Sequence, residues 1–109
     1  MPRNIPISIT KNTDKQINFI ESNLADLRHA DITLSVKRAI VDPSILFSLP
    51  VNINISPDLE HGKFSFIVQA SDIENLTPRT YKYEVKIIQN EQTIIPLIGD
   101  FKVYPSVSD

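Results

Sequence analysis

The sequence contains no cysteine and no tryptophan, and it has only two glycines among its 109 residues. Without cysteine, the chain can form neither disulfide bonds nor thiolate metal sites, and it cannot use a thiol as a nucleophile. Two glycines are too few for a glycine-rich loop of the kind that cradles phosphate groups. No serine nucleophile motif is present either, so the sequence predicts a protein that is not an enzyme and needs no cofactor.

An excess of positive charge is also missing. Lys and Arg number 11 and Asp and Glu number 13, which gives 11 − 13 = −2. Such a chain has no basic surplus to neutralise a phosphate backbone, so we expect no nucleic-acid partner. No segment approaches the roughly 20 apolar residues of a membrane helix, and the N-terminus lacks the apolar run of a secretion signal. We therefore expect a protein that is made in a cytoplasm and has no membrane partner.

Hydrophobic residues make up 41% of the chain and charged residues 22%, which is typical of a folded globular domain. The length fits one domain and leaves little room for a second. We predict a single domain over residues 1–104, followed by a short polar tail at residues 105–109.

Short segments in which apolar and polar residues alternate recur along the chain, with turn-forming residues between them. This alternation is typical of strands with one buried face. About eight such segments predict an all-β fold, an immunoglobulin-like antiparallel β-sandwich of about 7–8 strands. The segments lie at residues 5–9, 16–19, 32–36, 45–47, 51–55, 63–68, 80–88 and 93–103.

Several residues predict turns and irregularities. The loop between the last two strands has no glycine, so Asn90 is the residue expected to adopt a positive φ. Pro96 lacks an N–H and indicates an edge or a kink in the last strand, while Gly99 indicates a bulge or a bend. Ser71 and Glu74 have the spacing of a capping box, which predicts one helical turn.

A tyrosine stands at the start of the strongest alternating segment. In immunoglobulin-like sandwiches, a tyrosine at this place packs inward and donates its hydroxyl to a backbone carbonyl a few residues upstream. The sequence places Tyr81 as such a corner residue. Leu76 is then expected to plug the core, and Pro78 is expected to stiffen the connection.

Four segments carry a resemblance to a known family: residues 26–27 with 30–37, residues 62–68, residues 71–76 with 80–85, and residues 99–103. Over about residues 5–104, the chain resembles the immunoglobulin-like domain of tailed-phage structural proteins, best known as the N-terminal domain of phage baseplate upper proteins. Arg79 stands where the family pattern usually has a glycine, and Arg28-His29 replaces a second one.

The resemblance implies a non-enzymatic structural subunit of a bacteriophage virion, acting in the tail, baseplate or neck through protein–protein contacts. Its partners would be other virion proteins, with many copies or a homo-oligomer in a symmetric assembly. A capsid decoration protein is one alternative. A carbohydrate- or host-surface-binding module is another, although exposed aromatics are scarce and Tyr104 is the one outward candidate.

His29 and His61 are the only histidines, and they stand far apart with no neighbouring pattern of metal ligands. We therefore interpret both as surface or loop residues and expect no metal site.

A stripe of apolar residues gives a clearer hypothesis. Residues 93–98 are apolar on both sides of one strand, whereas a two-sheet sandwich normally leaves one face of each strand in water. The stripe predicts a subunit contact, since monomers rarely expose such a surface. The alternative is a strand that is buried on both faces. The predicted interface residues are Ile67, Ile88, Ile94, Ile95, Leu97 and Ile98.

Overall fold

The predicted β-sandwich is confirmed by a computed structural model, which describes residues 3–21, 26–39 and 41–106. Three short 3-10 turns accompany the strands, at Ile53–Ile55, Leu59–His61 and Ala70–Asp72. Of the predicted polar tail, residues 107–109 lie outside the described residues. The strands are β1 (Arg3–Asn4), β2 (Ile7–Thr10), β3 (Lys15–Ile20), β4 (Asp31–Lys37), β5 (Phe47–Pro50), β6 (Lys63–Val68), β7 (Thr80–Gln89) and β8 (Gln92–Tyr104).

The strands form a large sheet and a small one. The large sheet has the order β1-β8-β7-β4-β5, with β2 also pairing with β8, and the small sheet contains β3 and β6. Strands β4, β5, β7 and β8 pair antiparallel, as predicted, but β1 and β2 run parallel to β8. The large sheet is therefore mixed, antiparallel over four of its strands and parallel at the edge formed by β1 and β2.

The two N-terminal strands share one register on β8. Arg3 lies opposite Leu97 and Ile7 lies opposite Phe101, so the offset along the chain is the same for both strands. The break between them falls at residues 5–6, where Pro6 has no N–H to donate to the ladder. The segment predicted at residues 5–9 therefore contributes to β2, and β1 precedes it in the same register.

The core lies between the sheets because β2, β3, β4, β6, β7 and β8 turn apolar residues inward. Phe19, Phe64 and Phe66 come from the small sheet and pack on one another. Phe19 also stacks on Tyr83 of the large sheet, with ring centroids 6.3 Å apart. Aromatic contacts of this kind add to the burial of apolar area, so they help to hold the two sheets together.

Gly99 permits a close approach at the N-terminal edge. A Cβ atom at this position would lie 2.5 Å from the Ile5 carbonyl oxygen and 3.0 Å from Cε1 of Tyr83. The Tyr83 hydroxyl donates a hydrogen bond to the same carbonyl. Gly99 pairs regularly with Tyr83, so the predicted bulge at Gly99 is wrong, and the glycine serves instead to admit the neighbouring backbone.

The strand predicted at residues 51–55 is also wrong, since a 3-10 turn occupies Ile53–Ile55. The Asn52 side chain accepts a hydrogen bond from the Asn54 N–H at 3.1 Å, which favours the turn. The Asn52 N–H donates to the Ser65 carbonyl at 2.9 Å and holds this segment against the edge of β6.

The helical turn predicted from Ser71 and Glu74 lies earlier in the chain. It spans Ala70–Asp72, and its capping box joins Gln69 and Asp72. The Asp72 carboxylate accepts a hydrogen bond from the Gln69 N–H at 2.8 Å. An aspartate can therefore perform the part that the sequence pattern assigns to a glutamate.

Candidate contact surface

The β7–β8 hairpin forms one end of the large sheet. Gln89 pairs with Gln92, which leaves a two-residue turn at Asn90 and Glu91. Both turn residues have positive φ, 52° at Asn90 and 66° at Glu91. This geometry is that of a type I′ turn, whose twist matches that of the flanking strands. The predicted positive φ of Asn90 is confirmed.

A β-bulge lies close to this turn. Val85 is paired with Leu97, whereas Ile87 is paired with Ile94, so the register shifts between these pairs. Two residues of β8, at positions 95 and 96, therefore stand opposite a single residue of β7. Pro96 has no N–H to contribute to a ladder, and a bulge is a place where this lack costs little.

Three isoleucines near the turn are exposed, and we call them the isoleucine surface: Ile88, Ile94 and Ile95, with exposed fractions of 41%, 39% and 37%. Residues that pair across a sheet point to the same face, so Ile94 points to the inner face together with Ile87. Ile87 is only 1% exposed, whereas its partner Ile94 is 39% exposed. The covered part of the inner face therefore ends between these two residues. Ile88 follows Ile87 and points to the outer face.

The other predicted interface residues lie elsewhere. Leu97 is 0% exposed and packs in the core, so its assignment to the contact stripe is wrong. The bulge explains this, because it brings Leu97 opposite the buried Val85. Ile98 is half-buried on the outer face opposite Glu84. Ile67 is half-buried in a separate groove beside the 51–54 segment.

One edge of β8 is unpaired beside the isoleucine surface. Pairing with β1 begins where Arg3 meets Leu97, so among the described residues no strand lies beside β8 from Gln92 to Pro96 on the side away from β7. An open edge of this kind offers backbone N–H and C=O groups to another chain. The surface therefore combines apolar side chains with open backbone groups.

The predicted tyrosine corner has the expected geometry at the opposite end of β7. The Tyr81 hydroxyl donates a hydrogen bond to the Thr77 carbonyl at 2.7 Å, and the side chain is buried. Leu76 is half-buried against the core, and Pro78 is exposed in the connection. Such a hydrogen bond ties the connection to the sandwich.

Electrostatic effects are local. Hydrogen bonds from the Arg28 side chain lower the pKa of Asp26 to about 2, with the Arg28 Nε 2.8 Å from a carboxylate oxygen. A hydrogen bond from the Lys82 side chain lowers the pKa of Asp100. Burial raises the pKa of Tyr83 to about 12. The first two shifts arise from exposed or half-exposed ion pairs, which contribute little to stability.

The histidines are both exposed, and they lie in turns. Within residues 3–21, 26–39 and 41–106, no group of histidine and acidic side chains is arranged to hold a metal ion.

No protein-family model matches the chain, and no curated protein matches it. The resemblance to phage immunoglobulin-like domains therefore rests on the sequence segments themselves. In the part of the chain that the structure describes, no helix is long and apolar enough to cross a membrane.

Proposed function

We propose that this protein is a non-enzymatic structural subunit of a bacteriophage virion, in the tail, baseplate or neck, and that it docks on neighbouring subunits through the isoleucine surface. The sequence resemblance over residues 5–104 supports the virion part of this proposal. The observation that carries the docking part is the exposure of Ile88, Ile94 and Ile95 on the two faces of one hairpin end.

The physical argument concerns the contact of apolar side chains with water. Burial of such side chains is favourable by about 25 cal/mol per Å² of apolar area. A partner that covers both faces of the hairpin end would remove all three isoleucines from water. The same partner could add a strand to the open edge of β8. The backbone hydrogen bonds would then fix the orientation of the partner as well as contribute to affinity.

The virion part is tested by mass spectrometry of purified phage particles whose heads and tails have been separated. Recovery of the chain in the tail fraction in a fixed ratio to other tail proteins is the expected result. Recovery with the heads alone would favour a capsid decoration protein, and absence from the particles would refute both virion assignments.

The docking part is tested by light scattering of the purified protein over a concentration series. We expect the wild type to assemble and Ile95→Asp to remain a folded monomer, because a buried charge without a partner is costly. Ile45→Asp is the matched control, since Ile45 is 52% exposed but lies outside the hairpin. A wild type that stays monomeric, or equal loss of assembly in both variants, would contradict docking of copies through this surface.

A further inference from the structure

Two arginines that are distant in the sequence meet at the corner end of the large sheet. Strand β4 ends at Lys37, which pairs with Lys82 near the start of β7. Arg38 directly follows β4, and Arg79 directly precedes β7. Since the two strands are antiparallel, the end of one lies beside the beginning of the other, and both arginines line one pocket of about 280 Å³.

The other residues of this pocket are polar or apolar but never acidic. Asn75 and Thr77 lie on its wall, and no aspartate or glutamate is among the described residues that line it. The protein carries a net charge of −2, so a pocket with two cations and no acid differs from the molecule as a whole. Its local potential favours an anion.

These two arginines also differ from the others in their partners. The Arg3 Nε donates to the Glu21 carboxylate at 2.7 Å, and Arg28 is paired with Asp26. Within the described residues, Arg38 and Arg79 form no ion pair with a carboxylate. Their guanidinium groups are therefore available to an anion from outside.

Arg79 is held in place without the use of its hydrogen-bond donors. Its guanidinium carbon lies over the Tyr81 ring, 5.4 Å from the ring centre, which is a cation–π contact. The ring in turn is fixed by the hydrogen bond from Tyr81 to Thr77. A guanidinium that is already positioned loses less conformational entropy when it binds a ligand.

We propose that Arg38 and Arg79 form a binding site for carboxylate side chains in an acidic segment of a partner protein. Each guanidinium group presents parallel N–H donors that match the two oxygens of a carboxylate. Leu46 and Leu76 are half-buried in the same pocket and offer an apolar surface to the short stem of a glutamate. Two arginines are far fewer than the phosphate contacts through which proteins usually bind the backbone of a nucleic acid.

This site is independent of the docking surface proposed above. Strand β7 is 10 residues long, and the pocket lies at its start while the isoleucine surface lies at its end. At a rise of about 3.4 Å per residue, roughly 30 Å separates the two. The two proposals can therefore be tested, and refuted, separately.

The test is a titration of the full chain with a capped oligoglutamate peptide, followed by NMR of the arginine side-chain Nε resonances. We expect the Arg38 and Arg79 resonances to shift and those of Arg28 to stay in place. Arg38→Gln and Arg79→Gln should each weaken the affinity about tenfold, which corresponds to the loss of a charge-assisted hydrogen bond. Arg28→Gln is the matched control and should leave the affinity unchanged.

Three results would overturn the proposal. The glutamine analogue of the peptide could bind equally well, which would show that charge is not recognised. Arg28→Gln could weaken binding as much as the other variants, which would indicate a diffuse effect of charge. Inorganic phosphate, titrated separately, could shift the same resonances at lower concentrations than the peptide, which would replace the carboxylate with a phosphate ligand.

Discussion

Replacement of Gly99 by alanine tests how the N-terminal strands are attached. The added Cβ would lie 2.5 Å from the Ile5 carbonyl oxygen, so this backbone must retreat by about 1 Å to reach an ordinary contact. Gly99 is not among the residues with positive φ, so alanine meets no backbone strain there. The destabilisation expected for this variant therefore starts from the steric effect of one methyl group.

The expected loss follows from three contributions. Overpacking costs about 1–3 kcal/mol, and loss of the Tyr83–Ile5 hydrogen bond costs about 1 kcal/mol more. Alanine also reduces the conformational entropy of the unfolded chain, which stabilises the folded protein by about 0.4–1 kcal/mol. We expect Gly99→Ala to lower the free energy of unfolding by about 1–3.5 kcal/mol, measured by urea denaturation with an unchanged slope.

Tyr83→Phe is the control, because it removes only the hydroxyl and should cost about 1 kcal/mol. In the double variant the two losses should not add in full, since displacement of Ile5 already breaks the hydrogen bond. A Gly99→Ala protein within about 0.5 kcal/mol of the wild type would refute the close approach. Full additivity in the double variant would refute the shared role of Ile5.

Three further predictions concern single residues. Tyr81→Phe removes the hydrogen bond to Thr77 and should lower the free energy of unfolding by about 1 kcal/mol; an unchanged melting midpoint would contradict the corner. The pKa of Tyr83 is raised from 10.0 to about 12, so its contribution to stability is complete below pH 10.0 and is lost as the pH rises through about 12. The measurement is a pH titration of tyrosinate absorbance in the wild type and in Tyr83→Phe. The difference between the two curves belongs to Tyr83 and should rise near pH 12. Leu97→Ala should cost about 2–5 kcal/mol by thermal unfolding, and a change of less than 1 kcal/mol would contradict its place in the core.

The strands were predictable because their signal is local. Alternation alone locates β3, β4, β6 and β7. Because the loop between the last two strands has no glycine, Asn90 is the residue expected to adopt a positive φ. The strand predicted at residues 51–55 does not form, for a local reason that the alternation of apolar and polar residues does not show. There the Asn52 side chain competes for the backbone and produces a turn.

The contact surface was predictable only in part. Residues 93–98 carry no alternation, so the sequence could not show that the bulge turns Leu97 inward and leaves Ile94 and Ile95 in water. The pocket of Arg38 and Arg79 has no local signal at all. It depends on the pairing of β4 with β7, which is a long-range property of the fold.

The parallel pairing of β2 with β8 has a consequence for the order of folding. Ile7 pairs with Phe101, a separation of 101 − 7 = 94 residues along the chain. During synthesis, the earliest strands must wait for the latest one before they can join the sheet. Contacts between such distant segments slow folding, because the entropy of loop closure is lost before the contacts form. We therefore expect attachment of the N-terminal strands to be a late step, taken after β8 has left the ribosome and paired with β7.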